Sequence, residues 1–125
     1  MKRAGTRTVL IVEDTEPTRD ILEMALLQLP DIVVHSVATA EEALVCLAAH
    51  EITAMVTDLN LPRMDGFQLI ETVRAGSDMP IMVISGDNDP STLERLVSLG
   101  ASAYFPKPYS PSQVRQRLEE LIDVP

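Results

Sequence analysis

Short apolar runs alternate with amphipathic stretches along the chain. Five mostly uninterrupted apolar runs predict buried strands, at residues 8–12, 32–37, 52–57, 80–84 and 101–105. After each run, apolar residues recur at helical spacing, which predicts five helices. A regular order of strand and then helix favours a parallel sheet covered by helices on both faces, so we predict a doubly wound α/β fold.

Capping residues mark where the predicted helices begin. Thr39 with Glu42, and Ser110 with Gln113, have the spacing of a capping box, and Asp65 is a further N-cap candidate. The remaining boundaries are predicted at Pro17, Asp89 and Pro90 for helix starts, at Pro30, Gly76 and Gly100 for helix ends, and at about Ile122 for the last helix.

The composition narrows the class of protein. The chain has 125 residues, a length typical of one domain, and a net charge of −9, which disfavours nucleic-acid binding because a phosphate backbone would be repelled. Its single cysteine cannot form an internal disulfide, and no apolar run approaches the ~18 residues of a membrane span. We therefore expect a cytoplasmic domain over residues 8–123, with a basic, disordered tail over residues 1–7.

Polar residues lie at the predicted carboxyl ends of the strands, where ligands bind in doubly wound sheets. If strands one and three are neighbours, their carboxylates converge, and crowded ionised carboxylates are held by a cation. Oxygen ligands of this kind suit Mg²⁺, with Mn²⁺ as an alternative. The residues that follow the strands are Glu13 and Asp14 after the first, Asp58 after the third, Ser85 after the fourth and Lys107 after the fifth.

Lys107 is one of two lysines in the chain, and the other, Lys2, falls in the predicted tail. A loop lysine taken alone is more often simply solvated. Beside convergent carboxylates, however, a compact ammonium suits the role of a positioned point charge, and we favour that interpretation.

These strand-end residues fall in segments that resemble the receiver domain of two-component response regulators, over nearly the whole chain from residue 8 to residue 123. The segments are VED at 12–14, TDLNLPRMDG at 57–66, ISG at 84–86 and GASAYFPKPY at 100–109. Each is weak alone, but their order at successive strand ends makes the pattern specific. The resemblance implies a flavodoxin-like sheet of five parallel strands in the order 2-1-3-4-5.

The resemblance assigns an acceptor and a metal site. Asp58 resembles the phospho-acceptor, which is also a metal ligand. Asp14 resembles a direct Mg²⁺ ligand and Glu13 a ligand that acts mainly through water, and Asn60 would offer its backbone carbonyl. Many family members carry Asp where this chain has Glu13, and the longer side chain still reaches a metal-bound water.

The resemblance also assigns residues that respond to the phosphoryl group. Ser85 would donate a hydrogen bond to it and Lys107 would pair with it. Tyr104 resembles the aromatic switch that turns inward after phosphorylation. The peptide bond between Lys107 and Pro108 matches one that is typically cis in the family.

The implied function is a signalling switch rather than a turnover enzyme. Asp58 would receive a phosphoryl group, with Mg²⁺, from a phosphohistidine of a sensor histidine kinase or phosphotransfer protein, or from acetyl phosphate. The surface of helix 4, strand 5 and helix 5 would then change and control a downstream partner or output domain. A homodimer through that same surface is an alternative use of it.

Two further positions are predicted to tune hydrolysis. Asn60 lies two residues after Asp58, and Asp87 lies two residues after Ser85. Side chains at these positions flank the phosphoryl group in the family. We hypothesise that Asn60 and Asp87 orient the attacking water and make the phosphorylated state short-lived.

Two other classes of protein share parts of this pattern. A pseudo-receiver has the same fold but usually lacks an acid, the acceptor or the lysine, all of which this chain has. A Mg²⁺-dependent phosphohydrolase commonly carries an Asp-x-Asp pair on its first strand, whereas the nucleophile candidate here, Asp58, follows the third. Turnover of a phosphomonoester would indicate the hydrolase, and stoichiometric labelling the receiver.

The histidines and the cysteine are assigned structural roles. His35 lies in a predicted strand and His50 at a helix end, and neither has the spacing expected of metal ligands. Cys46 lies in a helix among apolar residues, which indicates a small core or boundary side chain.

Overall fold

The computed structural model describes residues 6–87 and 89–123, and within these ranges five strands alternate with five helices, as predicted. None of these helices has the length and apolar character needed to span a membrane. The strands are β1 Arg7–Val12, β2 Ile32–Val37, β3 Ala54–Asp58, β4 Ile81–Ser85 and β5 Ala103–Pro106. The helices are α1 Glu16–Leu26, α2 Ala40–Ala49, α3 Gly66–Arg74, α4 Pro90–Leu99 and α5 Pro111–Ile122.

The strands form one parallel sheet in the order β2-β1-β3-β4-β5, which confirms the predicted doubly wound, flavodoxin-like fold. The central strands β3 and β4 are buried along their whole length, which is why their sequences are continuous apolar runs. Successive strand residues point to opposite faces, so two cores form. The first includes Leu10, Met55, Val83, Leu69 and Leu96, and the second includes Ile11, Val56, Ile84, Leu22 and Val114.

The predicted N-caps of α2, α3 and α5 are present in the structure. Thr39 accepts a hydrogen bond from the Glu42 amide at 3.0 Å and Glu42 accepts one in return, so α2 begins with a full capping box. Asp65 forms the same reciprocal arrangement at the start of α3. At α5, Ser110 accepts from the Gln113 amide at 3.3 Å. The Ser110 amide donates no return bond to the Gln113 side chain in the described part, so the predicted box is a single cap there.

The amino-terminal boundary differs from the prediction by one residue. Arg7, which we expected in the tail, begins β1, and its amide donates to the carbonyl of Asp31 at 2.9 Å. Its guanidinium donates to the carbonyl of Pro30 at 2.7 Å and pairs with the Asp123 carboxylate. A long-range pair of this kind leaves no periodic pattern in the sequence. Residues 1–5 of the predicted tail lie outside the described residues.

Candidate functional site

The carboxyl ends of β1 and β3 bring three carboxylates together. Val12 pairs with Thr57 in the sheet, so the residues that follow them, Glu13 and Asp58, lie side by side. One carboxylate oxygen from each of Glu13, Asp14 and Asp58 lies within 4.8 Å of the other two. Glu13 and Asp58 are buried, whereas Asp14 is exposed. We call these three side chains the acidic cluster.

The ammonium of Lys107 reaches into the acidic cluster from the end of β5. Its Nζ donates to Asp58 Oδ2 at 2.6 Å and to Glu13 Oε1 at 3.2 Å. Asp58 Oδ1 accepts from the amide of Asn60 at 3.0 Å, and Glu13 Oε2 accepts from the amide of Thr15 at 3.0 Å. Both buried carboxylates are therefore fixed by a charged donor on one oxygen and a backbone donor on the other.

The pKa values of Glu13 and Lys107 are both shifted by burial and by the neighbouring charges. Burial raises the pKa of Glu13, and repulsion from Asp58 adds to this, although the bonds from Thr15 and Lys107 oppose it. Burial lowers the pKa of Lys107, but its bonds and attraction to Asp58 and Glu13 outweigh this and leave the pKa raised. One ammonium cannot balance three carboxylates, so the cluster still favours a further cation.

The loop from β3 to α3 approaches Asp58 so closely that only glycine fits at position 66. A Cβ on Gly66 would lie 2.5 Å from the carbonyl oxygen of Asp58 and 2.6 Å from the Cα of Leu59. The amide of Gly66 also donates to the carbonyl of Leu59 at 2.9 Å. This closely packed turn sets the position of the Asp58 backbone.

Ser85 lies at the end of β4, next to the strand that carries Asp58. Asp58 pairs with Ile84, so Ser85 is the next residue at that edge, and it is buried. Its carbonyl accepts from the amide of Lys107 at 2.8 Å, and its hydroxyl accepts from the amide of Asp87 at 3.1 Å. The peptide bond between Lys107 and Pro108 is cis, as the resemblance implied.

The carboxylate of Asp87 is directed to the first turn of α4. Its Oδ1 accepts from the amide of Asp89 at 2.9 Å and its Oδ2 from the hydroxyl of Thr92 at 2.8 Å. These two bonds lower the pKa of Asp87. Asp87 is therefore held by α4. Asn60, by contrast, is exposed, and its amide contacts Asp58.

Tyr104 links β5 to the loop between β4 and α4. Its hydroxyl donates to the carbonyl of Asp87 at 2.5 Å, and its ring packs against the core on the side of α3 and α4. Burial, together with the nearby Asp87, raises the pKa of Tyr104. The side chain is therefore bonded to the loop that follows Ser85.

Two positioning residues were missed by the sequence analysis. Arg19 on α1 donates to the carbonyl of Glu13 at 2.8 Å and so holds the loop between β1 and α1 against the helix. Thr92 on α4 holds Asp87, as described above. Neither belongs to a segment that carried the resemblance, and an arginine or a threonine on a helix is too common to indicate such a role.

Comparisons with known proteins agree with this geometry. A family model described as "Response regulator receiver domain" matches residues 9–119. The "Probable transcriptional regulator ycf27" of Cyanidium caldarium is 32% identical over 117 residues, which cover 91% of this chain and 45% of that protein. The "Chemotaxis protein CheY homolog" of Campylobacter jejuni is 28% identical over 118 residues, which cover 91% of each chain.

A solved structure shows the same likeness in three dimensions. The "putative response regulator from Chloroflexus aurantiacus" superposes with a TM-score of 0.87 at 28% identity, over 95% of this chain and 99% of that chain. This chain spans about half the length of its ycf27 relative and nearly all of the CheY homolog. With the family model matched over residues 9–119, the chain belongs to the response regulator receiver domains of two-component signalling systems.

Proposed function

We propose that this receiver is phosphorylated on Asp58. The donor is a phosphohistidine of a sensor histidine kinase or phosphotransfer protein, or a small molecule such as acetyl phosphate. The observation that carries the proposal is the 2.6 Å contact between Lys107 Nζ and Asp58 Oδ2, next to Glu13 and Asp14. It supplies a nucleophile and a positive charge at one strand edge.

The proposed transfer needs few protein groups. A carboxylate oxygen of Asp58 attacks phosphorus, the bond from phosphorus to the donor nitrogen breaks, and the imidazole leaves with the electron pair. The product is an acyl phosphate. Lys107 then pairs with a phosphoryl oxygen, and the hydroxyl of Ser85 donates to another. Attack of water on phosphorus releases orthophosphate and restores Asp58, and Asn60 and Asp87 are the proposed tuners of that step.

The side chains of the acidic cluster fit Mg²⁺, and Mn²⁺ fits the same ligands. Glu13, Asp14 and Asp58 offer carboxylate oxygens within 4.8 Å of one another, and Asn60 would add its backbone carbonyl. Bound Mg²⁺ would neutralise charge on the phosphoryl oxygens. The residual negative charge around Lys107 is the feature of this chain that supports a divalent cation.

The proposed output surface is that of α4, β5 and α5. On α4, Leu93 and Val97 are exposed apolar side chains, and they line a cavity of about 140 Å³ together with Tyr104. Tyr104 also donates to the carbonyl of Asp87 in the loop that follows Ser85, so a change at Asp58 can alter this surface. The names of the two relatives point to different outputs, transcription for one and chemotaxis for the other.

A homodimer is a second use of the same surface. Two arginines of the surface formed by α4, β5 and α5 already have partners within the chain. Arg95 lies over the ring of Phe67 at 3.9 Å, and Arg117 pairs with Glu120 at 3.1 Å. A dimer would therefore rest on the apolar side chains of α4 rather than on free arginines.

A separate apolar surface on α1 suits the phosphoryl donor. Ile21 and Met24 on this helix and Leu27 at its C-cap are at least half exposed. Ile21 also lines a cavity of about 280 Å³ with Lys107 and Tyr109. A helix of a kinase or phosphotransfer protein that packs on these side chains would lie beside the acceptor.

The test is chemical labelling followed by intact mass measurement. The protein is incubated with acetyl phosphate or with phosphoramidate, which carries a phosphorus–nitrogen bond, with Mg²⁺ or with a chelator. We expect one added phosphoryl group that requires Mg²⁺, and none in Asp58→Asn. An unlabelled protein, or equal labelling of Asp58→Asn, would contradict the proposal, and continuous hydrolysis of a phosphomonoester would indicate an enzyme instead.

A further inference from the structure

Three side chains of types that can bind a metal lie close together between β2 and α2, apart from the acidic cluster. One ligand atom from each of His35, Cys46 and His50 lies within 4.8 Å of the other two. His35 is in the middle of the edge strand β2, opposite Leu10, while Cys46 lies in the last turn of α2 and His50 is its C-cap. The spacing of four residues puts Cys46 and His50 on one face of the helix. We call these side chains the His–Cys cluster.

The ligand atoms of this cluster are available. The two imidazole rings stack with their centroids 4.4 Å apart, and Cys46 is a free thiol. Throughout residues 6–87 and 89–123, neither ring nor the thiol forms a side-chain hydrogen bond, an ion pair or a disulfide. Cys46 and His35 are half-buried and His50 is exposed, so an ion can enter from solvent and reach partly shielded ligands.

The type of ligand selects the type of ion. Two imidazole nitrogens and one thiolate suit Zn²⁺, whereas Mg²⁺ prefers oxygen. Bonds of about 2.0–2.3 Å place the ligand atoms of a tetrahedral zinc roughly 3.5 Å apart. The three ligand atoms already lie within 4.8 Å of one another, so each pair must approach by at most roughly 1.3 Å. Rotation of the exposed His50 can supply most of that movement. The carboxyl end of α2, with its partial negative charge, also favours a cation.

From this geometry we propose that His35, Cys46 and His50 form a second metal site, which takes Zn²⁺ with three protein ligands and water in the fourth position. The ion links the edge strand β2 to the end of α2. Because it would bind the folded chain only, Zn²⁺ should also raise resistance to unfolding. The proposal does not depend on phosphorylation of Asp58.

Cobalt provides a direct spectroscopic test. The reduced protein is titrated with Co²⁺ in excess Mg²⁺, which occupies oxygen ligands. We expect a thiolate-to-cobalt charge-transfer band in the near ultraviolet that saturates at one equivalent and disappears on addition of one equivalent of Zn²⁺. Since Cys46 is the single cysteine of the chain, any such band must come from it.

Variants separate a three-ligand site from a lone thiol. The band should vanish in Cys46→Ser. The apparent affinity for Co²⁺ should fall at least tenfold in His35→Gln and in His50→Gln. Asp58→Asn should keep both the band and the affinity of the unchanged protein. His50→Gln changes an exposed side chain, so loss of folding would not explain its result. A missing band, a band of unchanged affinity in both histidine variants, or a stoichiometry of two chains per cobalt would each overturn the proposal.

Discussion

The acidic cluster and the His–Cys cluster are built in different ways. In the acidic cluster, neighbouring parallel strands end at one edge and deliver their next residues to one place, so the topology of the sheet creates it. In the His–Cys cluster, one ligand comes from the middle of β2 and two come from the end of α2. That cluster depends on how a helix packs on the sheet.

The two clusters also differ in charge and burial. The acidic cluster holds two buried carboxylates that repel each other and share one ammonium. The His–Cys cluster contains no carboxylate, and its side chains are exposed or half-buried. Assembling the first therefore costs stability until a cation arrives, whereas the second can stay empty at little cost. The following predictions test that difference.

The largest effect is expected from loss of the positive charge. Lys107→Ala should slow phosphorylation of Asp58 by acetyl phosphate about 100-fold, because one positioned charge on the transferring group is lost. Lys107→Arg keeps the charge and serves as the control. The measurement is a time course of intact mass. A rate within twofold of the unchanged protein would show that the ammonium is structural.

The next effect concerns the turn that positions Asp58. Gly66→Ala should lower the free energy of unfolding by about 1–3 kcal/mol, because its Cβ would overlap the backbone of Asp58 and Leu59. Gly76→Ala is the matched control, since a Cβ there has no atom within 4 Å. Urea unfolding of both variants provides the comparison. Equal stability of the two would contradict the close approach.

A smaller effect depends on pH. Because the pKa of Glu13 is raised above its ordinary 4.5, the folded chain holds that proton more tightly than the unfolded chain does. Without Mg²⁺, the free energy of unfolding should therefore fall as the pH rises from 4.5 through the higher pKa of Glu13 in the folded chain. At pH 7 Glu13→Gln should be more stable than the unchanged protein, because the neutral amide removes a charge that burial disfavours.

The control for that effect is the exposed Glu16, whose side chain is 79% accessible. Glu16→Gln should follow the unchanged protein at every pH in urea unfolding. Excess Mg²⁺ should stabilise the unchanged protein more than Glu13→Gln. If Glu13→Gln is less stable than the unchanged protein at pH 7, the buried Glu13 carboxylate does not lower the free energy of unfolding, and the prediction is wrong.

The smallest effect is expected from a change in the His–Cys cluster, because that cluster is independent of phosphorylation at Asp58. His50→Gln should leave the rate of Asp58 phosphorylation unchanged and alter the free energy of unfolding by less than about 0.5 kcal/mol, as for other surface substitutions. The same mass and urea measurements apply. A clear loss of phosphorylation in this variant would show that the two clusters are coupled.

The sequence predicted the fold and the acidic cluster because both follow from strong local patterns. Buried strands read as continuous apolar runs, and caps such as Thr39 and Asp65 mark helix starts. Once the strand order was implied by the resemblance, the carboxyl ends of β1 and β3 brought Glu13 and Asp58 together without any knowledge of side-chain geometry.

What the sequence did not predict depends on side-chain direction. The carboxylate of Asp87 turns to Thr92 and the amide of Asp89, which a loop position does not indicate. His35 meets Cys46 only because α2 packs on β2 at a particular angle. The one available hint was that Cys46 and His50 are four residues apart on a helix.

The central claim is that Asp58, held by Lys107, is the phosphorylated residue, and reductive trapping tests it most directly. After treatment with acetyl phosphate and Mg²⁺, borohydride converts an aspartyl phosphate to homoserine, and peptide mass spectrometry locates the change. The account predicts homoserine at position 58, in unchanged protein and in Cys46→Ser alike. Homoserine at position 14, or a phosphoryl group retained on Ser85, would contradict it.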